Sequence, residues 1–237
     1  IPDDRIDGIL GILGIQNRNI PEDNMEVQPL DYSEIAEKLK SELAERESIV
    51  FVSAWPEDYE RNDSDLEGMY EMFTEQGMDF RRHRVIDSRS EACEAAKEIR
   101  VASCIFLMGG HPGLQLSMIQ EMGLAEAVRE SGGVVLGVSA GAINMALRSL
   151  DTKESPVPYE GLGLADITVK PHFDPKDRRL TEELQEISHQ LPICAMEDNS
   201  AVFVTEARVF HIGRLHWVDK GKIEEVPQEG ELPLCSR

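Results

Sequence analysis

The sequence has little positive charge. Lys and Arg number 24 against 45 Asp and Glu, which gives a formal net charge of -21. Proteins that bind nucleic acid neutralise phosphates with clustered Lys and Arg, so this balance argues against nucleic acid as a partner. The same negative surface would repel anionic membranes. A local cluster of basic residues is therefore informative wherever it occurs in this chain.

Paired cysteines are also missing. The sequence has no C-x-x-C pair and no cysteine spacing typical of a metal site, and its four cysteines are scattered: Cys93, Cys104, Cys194 and Cys235. Three of them stand in or beside apolar runs, which favours buried free thiols and a reducing compartment. We predict neither a metal nor an organic cofactor.

Long hydrophobic runs and a basic leader are absent as well. No apolar stretch approaches the ~18 residues that a membrane span needs. The chain starts with IPDDRIDGIL, which is acidic where a signal peptide would be basic. We therefore expect a cytoplasmic protein without a membrane partner. The 237 residues suit one core, and no Pro/Gly/Ser linker interrupts them. A single domain over residues 1–237 is predicted, in which residues 1–30 remain uncertain.

Strand-like and helix-like segments alternate along most of the chain. Continuous apolar runs at Cys104–Met108 and Val134–Val138 are typical of central parallel strands, and helices are expected at Gly113–Glu130 and Ala140–Leu150. This alternation predicts an α/β fold with a mostly parallel sheet covered on both faces. The last third consists of short strand-like runs, which predict a β-rich C-terminal region with a hairpin turn in Asp219–Lys222.

The stretch Val134–Met145, VVLGVSAGAINM, places Ser139 between two glycines at the end of an apolar run. In a G-x-S-x-G turn from a strand into a helix, small neighbours let the serine occupy a strained bend from which its Oγ projects. N–H groups at the start of the following helix then face the position where an oxyanion would form. The pattern favours Ser139 as a nucleophile over an ordinary serine in a glycine-rich corner.

A serine nucleophile needs a base. His172 follows a strand-like run in TVKPHFDP, at a turn fixed by Pro171. It would share a sheet edge with Ser139, because functional groups gather at the carboxyl ends of parallel strands. His111, which follows the neighbouring strand, is a rival that we expect to line the site instead. Surface or filler positions are expected for the other four histidines: His83, His189, His211 and His216.

The base usually needs a carboxylate to orient it. Between Ser139 and His172 the chain offers four candidate acids: Asp151, Glu154, Glu160 and Asp166. Glu154 lies in KESPVP, a loop whose prolines could hold the carboxylate in place. Spacing does not separate it from Asp151.

A basic cluster follows His172 and is conspicuous against the acidic background: Lys176, Arg178 and Arg179. Such side chains could bind an acidic substrate side chain through charge-assisted hydrogen bonds. The alternative is an ordinary helix start whose basic residues pair with Glu182 and Glu183.

Three stretches together resemble the peptidase E family: GGHPGLQL from Gly109, GVSAGA around Ser139, and GLGLADITVKPHFD leading to His172. The family comprises the aspartyl dipeptidases, with cyanophycinase as a relative. The resemblance extends, in order and spacing, from about Ile49 to about Val218. It implies a flavodoxin-like three-layer sandwich related to class I glutamine amidotransferases, with serine at the position where those enzymes carry cysteine.

The resemblance also implies roles for individual residues. Ser139 would be the nucleophile, His172 the base, and Glu154, about fifteen residues after the serine, the acid. Backbone N–H groups of Ala140 and of the Gly109–Gly110 turn would form the oxyanion hole. The implied activity is hydrolysis of short peptides, above all dipeptides with an N-terminal Asp, through an acyl-enzyme and by a monomer or homodimer.

Two other interpretations stay open from the sequence. One is a different acyl hydrolase, either an esterase or an enzyme like cyanophycinase. The other is a non-catalytic member of the fold that binds a small molecule. The short separation of Ser139 from His172 disfavours an α/β-hydrolase esterase, because that fold places more chain between its serine and histidine.

Overall fold

The computed structural model describes residues 6–11, 32–205, 209–227 and 232. Of the predicted segment 1–30, only residues 6–11 are among these, and Cys235 lies outside them. Seven helices occur in the described residues: α1 Tyr32–Glu42, α2 Tyr59–Glu75, α3 Ala92–Val101, α4 Pro112–Glu121, α5 Ala125–Arg129, α6 Ala140–Met145 and α7 Arg178–Ile187.

Seven strands form the larger sheet: β1 Ile6–Gly11, β2 Ser48–Val52, β3 Arg82–Ile86, β4 Cys104–Leu107, β5 Val134–Val138, β10 Ala201–Thr205 and β11 Val209–Ile212. Their spatial order is β11-β10-β1-β5-β4-β2-β3. The five strands from β1 to β3 in this order run parallel, and β10 and β11 are antiparallel to their neighbours. The mostly parallel central sheet therefore matches the expectation from the sequence.

Helices cover both faces of this sheet, because successive side chains of a strand point to opposite faces. In β2, Ile49 and Phe51 pack in the cluster that contains the apolar residues of α1 and α2. Val50 and Val52 pack in the cluster that contains those of α3, α4 and α5. The result is a three-layer arrangement, and it explains why the central strands have no polar face.

Two predicted helices are shorter in the structure than the sequence pattern suggests. The segment 113–130 is divided into α4 and α5, because Gly123 adopts a positive φ of 66° between them. The helix expected over Ala140–Leu150 ends at Met145, and Arg148–Ser149 form a short strand, β6, that pairs with β7 (Tyr159–Glu160).

The remaining strands form a second, smaller sheet: β8 Thr168–Lys170, β9 Ile193–Met196, β12 Leu215–Asp219 and β13 Lys222–Glu225. Its order is β13-β12-β9-β8, with β8 parallel to β9. The hairpin between β12 and β13 turns at Lys220 and Gly221, both with positive φ, as a type I′ turn requires. The C-terminal region is thus β-rich, as predicted, although β10 and β11 join the larger sheet.

The smaller sheet is packed on both faces. Val169, Cys194 and Met196 belong to the same buried cluster as the residues of α3–α5 and the larger sheet. Ile193 and Ala195, on the opposite face, pack against α7. No helix among the described residues combines the length and the apolar character needed to cross a lipid bilayer.

Candidate active site

Ser139 lies in a sharp turn between β5 and α6. Its backbone has φ 50° and ψ -105°, a conformation that costs free energy for a residue with a side chain. Two glycines permit the turn. A Cβ on Gly141 would lie 2.1 Å from the Leu107 carbonyl oxygen, and one on Gly137 would lie 2.5 Å from Met145 Sδ. The turn therefore requires glycine on both sides of the serine.

The Gly109–Gly110 turn, which follows β4, lies directly beside this serine. A Cβ built on Gly109 would be 3.6 Å from Ser139 Cβ and 3.5 Å from the Val138 carbonyl oxygen. Gly110 has a φ of 143°, and the Trp55 indole occupies the space that its side chain would need, with Nε1 2.4 Å from a built Cβ. Two backbone turns without bulky side chains thus adjoin the Ser139 hydroxyl.

His172 reaches the serine from the smaller sheet. It lies two residues beyond the end of β8, and it too has a positive φ, 55°. Its Nε2 is 2.9 Å from Ser139 Oγ, a hydrogen-bonding distance. Because the ring is 44% exposed, substrate and water can reach it. The structure thus brings Ser139 and His172 together across the junction of the two sheets.

The carboxylate on His172 is Asp198. Its Oδ1 lies 2.7 Å from His172 Nδ1, and its side chain is 65% exposed. An Nδ1–H that donates to this carboxylate leaves Nε2 as the acceptor for the serine hydroxyl. Asp198 lies two residues beyond β9, the parallel neighbour of β8. Parallel pairing therefore places the histidine and the aspartate side by side.

Glu154, which the sequence analysis expected in this position, lies elsewhere, and the expected contact is corrected accordingly. Glu154 is exposed, with its Oε1 3.7 Å from His111 Nε2. Asp151, the other candidate, forms a local turn: its Oδ1 accepts from the Lys153 N–H at 3.1 Å. Both acids belong to the loop between β6 and β7, whereas His172 follows a strand of the smaller sheet and is adjoined by its parallel neighbour.

His111 caps the first turn of α4. Its Nδ1 accepts a hydrogen bond from the Leu114 N–H at 3.3 Å, and its ring meets the Trp55 indole edge-on, with the ring centres 5.9 Å apart. Together with the Glu154 contact, these interactions place His111 beside the Gly109–Gly110 turn. It is held there as a cap rather than by a contact to Ser139.

The three basic residues predicted to bind an acidic side chain lie at the start of α7. Lys176, Arg178 and Arg179 are all exposed. Asp177 caps this helix by accepting from the Leu180 N–H at 3.1 Å. Within the described stretch 174–187, none of the three basic residues forms an ion pair with Glu182 or Glu183, the alternative that the sequence left open.

A second histidine–carboxylate pair supports the segment that carries Asp198. His216 Nε2 lies 2.7 Å from Glu197 Oε1, and the two side chains are 10% and 22% exposed. The His216 ring contacts the ring of Phe173, with centres 5.1 Å apart. The Phe173 N–H donates to the Met196 carbonyl at 2.8 Å. The residues next to His172 and Asp198 are therefore tied to each other.

Burial shifts the pKa of two titratable groups near the site. It lowers the pKa of Lys170, and the Lys153 charge adds to this effect. The Lys170 ammonium donates to the Pro171 carbonyl at 2.7 Å. Burial also raises the pKa of the Tyr159 hydroxyl, with a smaller contribution from Asp151. Tyr159 therefore remains a neutral hydrogen-bond donor throughout the physiological pH range.

Asp198 is the residue that the sequence analysis missed, because it sought the acid only between Ser139 and His172. A usable signal was present. Glu197 and Asp198 directly follow the apolar run ICAM, just as His172 follows the strand-like run ITVK. The rule that selected His172, the carboxyl end of a strand, would have selected this pair of acids as well.

Comparison with known proteins bears on this geometry. A family model described as peptidase family S51 matches residues 26–212, well over half of the chain. A relative from Drosophila melanogaster, described as a probable alpha-aspartyl dipeptidase, is 31% identical over 151 residues, which are 54% of this chain and 62% of the relative. The chain thus matches less than two thirds of the length of that relative.

Two solved structures share the fold. A peptidase from an acI-B1 Actinobacterium matches with a TM-score of 0.68 at 17% identity, covering 97% of this chain and 98% of the other. A putative peptidase E protein from Listeria monocytogenes EGD-e matches with a TM-score of 0.57, also at 17% identity, covering 75% and 92%. At this identity the likeness shows the fold alone, and it confirms the predicted fold class.

Proposed function

The chain belongs to peptidase family S51, and we propose that it is a serine dipeptidase in which Ser139, His172 and Asp198 act together. The membership confirms the resemblance to the peptidase E family. One observation carries the proposal. A continuous relay joins Ser139 Oγ to His172 Nε2 at 2.9 Å and His172 Nδ1 to Asp198 Oδ1 at 2.7 Å.

The relay supports nucleophilic catalysis through a covalent intermediate. Ser139 Oγ attacks the scissile carbonyl carbon as its proton passes to His172 Nε2. The imidazolium that forms is stabilised by Asp198, which accepts from Nδ1–H. When the tetrahedral intermediate collapses, His172 returns the proton to the leaving amine and the C–N bond breaks. Water then hydrolyses the acyl-enzyme by the same proton transfers in reverse.

Two backbone turns support the assignment of an oxyanion hole. The Ala140 N–H follows the nucleophile directly, as in other serine elbows. The Gly109–Gly110 turn approaches Ser139 closely enough for its N–H groups to meet the same oxygen. Donors fixed in this way stabilise the negative charge that develops in the transition state.

The proposed substrates are short peptides, above all dipeptides with an N-terminal aspartate. The Drosophila relative is described as a probable alpha-aspartyl dipeptidase, which supports this class. The exposed cations of Lys176, Arg178 and Arg179, in a chain of net charge -21, supply groups that could bind a substrate carboxylate. His111, beside the glycine turn, is proposed to line the substrate site.

The first test replaces the nucleophile. We expect Ser139→Ala to lower cleavage of Asp-X dipeptides by at least about 10³-fold, because the relay acts as a unit. The matched control is Ser131→Ala, before β5, where the hydroxyl only accepts from the Gly133 N–H at 3.1 Å. A fluorophosphonate probe should label the wild type and the control, but not Ser139→Ala.

Other results would contradict the proposal. Unchanged turnover in Ser139→Ala would exclude Ser139 as the nucleophile. A wild-type protein that neither cleaves dipeptides nor reacts with the probe would favour a non-catalytic role. Activity confined to p-nitrophenyl esters or to arginine-bearing polyaspartate would identify one of the other acyl hydrolases.

A further inference from the structure

Two primary amides are enclosed between α4 and α6, directly beneath the glycine turn. Gln115 of α4 and Asn144 of α6 are both completely buried, at 0% exposure. Enclosing two amides is costly unless each polar atom finds a partner. Their hydrogen bonds therefore indicate what they contribute to the structure.

Gln115 joins the ends of two strands of the larger sheet. Its Nε2 donates to the Val52 carbonyl at 3.0 Å and to the Met108 carbonyl at 3.1 Å. Val52 ends β2, and Met108 follows β4 immediately before Gly109. Both donor positions of the amide are thereby used on backbone carbonyls at the sheet edge that carries the site.

Asn144 holds Gln115 in this orientation. Its Nδ2 donates to Gln115 Oε1 at 3.1 Å and to the Pro112 carbonyl at 2.9 Å. The Tyr159 hydroxyl donates to Asn144 Oδ1 at 3.3 Å. Every donor and acceptor group of the two amides is thus engaged, so that turning either amide over would break several hydrogen bonds at once.

The bond to Met108 sets the direction of the next N–H group. The Met108–Gly109 peptide is trans, so its C=O and its N–H point in opposite directions. With the carbonyl held by Gln115, the Gly109 N–H is directed away from Gln115. Gly109 adjoins Ser139, since a built Cβ would lie 3.6 Å from Ser139 Cβ.

We propose that Gln115, oriented by Asn144 and Tyr159, is a positioning residue that directs the Gly109 N–H toward the oxyanion formed on Ser139. This inference rests on the proposed peptidase function. Apolar side chains of similar size would fill the same space without the cost of burying amides. The contribution of the amides is therefore orientation, which matters most where donors must be fixed before the reaction occurs.

The test separates the transition state from the bound substrate. In Gln115→Met we expect kcat for an Asp-X dipeptide to fall by about 10- to 100-fold, less than the loss of a whole oxyanion donor, while KM stays within about twofold. The second readout is an aspartate analogue whose scissile carbonyl is replaced by a boronic acid. Its adduct with Ser139 carries an oxyanion, so its affinity should fall by the same factor as kcat.

Two further variants separate orientation from folding. Tyr159→Phe keeps the ring and removes only the outermost hydrogen bond, so we expect a smaller fall in kcat, about two- to fivefold. If Gln115→Met does not fold, Tyr159→Phe and Gln115→Glu decide the question by the same two readouts. The control is Ser188→Ala, which removes a buried hydroxyl that bonds the Gln185 carbonyl and the Gly221 N–H in the smaller sheet. The control should keep both kcat and boronate affinity.

The outcomes distinguish this inference from the proposed function. An active wild type whose Gln115→Met and Tyr159→Phe variants retain kcat and boronate affinity, even with a lower Tm, overturns the inference and leaves the peptidase intact. A wild type that neither cleaves dipeptides nor binds the boronate removes both proposals. A parallel loss of kcat and boronate affinity at constant KM supports the positioning role.

Discussion

The two halves of the site are supported in different ways. Ser139 and the Gly109–Gly110 turn belong to the larger sheet, where close backbone contacts and two fully bonded amides hold them. His172 and Asp198 follow strands of the smaller sheet and are largely exposed. The segment beneath them is held by an ionic pair, that of His216 and Glu197.

The difference follows from what each half has to do in the proposed reaction. The nucleophile and the oxyanion donors must be placed to within a fraction of an ångström, and backbone packing in a dry interior supplies that accuracy. A base and its acid exchange protons with substrate and with water, so they need access to solvent. We therefore expect substitutions on the larger sheet to act through shape and those on the smaller sheet to act through charge.

The largest effect is expected from the acid. Asp198→Asn keeps the shape of the side chain but removes the charge that stabilises the imidazolium, so kcat should fall by about 10³-fold or more with little change in Tm. The matched comparison is Glu154→Gln, which should change kcat/KM by no more than about twofold, because exposed side chains contribute about 0.5 kcal/mol or less. Steady-state kinetics on an Asp-X dipeptide measure both. The reverse ranking would restore Glu154 as the acid and undo the comparison.

A steric effect on the larger sheet comes next. Gly141→Ala would bring a Cβ to 2.1 Å from the Leu107 carbonyl oxygen, which forces α6 away from β4. We expect a loss of about 3 kcal/mol in the free energy of unfolding and, with Ser139 displaced, about a 100-fold fall in kcat/KM. Urea denaturation and kinetics check the two values.

The control for that substitution is Gly132→Ala in the loop before β5. A Cβ on Gly132 meets nothing within 4 Å, and its φ is not in the left-handed region. Stability and activity should therefore stay close to those of the wild type. Equal effects of the two alanines would show that the close contact at Gly141 is not what holds the serine turn.

The smallest effect concerns the pair under Asp198. His216→Phe leaves the half-buried Glu197 carboxylate without its partner, which should lower the free energy of unfolding by about 1–3 kcal/mol. We expect kcat/KM to fall only about tenfold, since Asp198 itself is retained. His216→Gln, which keeps a donor, should recover part of both losses. A loss of stability with full activity would mean that the pair supports the small sheet alone.

The sequence predicted the larger-sheet half well, for a physical reason. The run VVLGV, the glycines around Ser139 and the turn at Gly109–Gly110 are local patterns, and local sterics decide what they form. His172 was also accessible, since a histidine after Pro171 at a strand end is a local feature.

The pairing of strands was not accessible in this way. ICAM and ITVK could each be recognised as a strand, but only tertiary structure makes them parallel neighbours and brings Asp198 to His172. The burial of Gln115 and Asn144 was equally hidden. A glutamine and an asparagine within helical patterns read as surface residues until the facing helix is known.

The contact between Ser139 and His172 also has a consequence for how the protein folds. The two residues are 33 positions apart and come from different sheets, so neither sheet alone can produce a reactive serine. Contacts between distant segments form late, because the intervening chain must be closed first. The first appearance of a serine that reacts with a fluorophosphonate during refolding therefore serves as a clock for the docking of the two sheets.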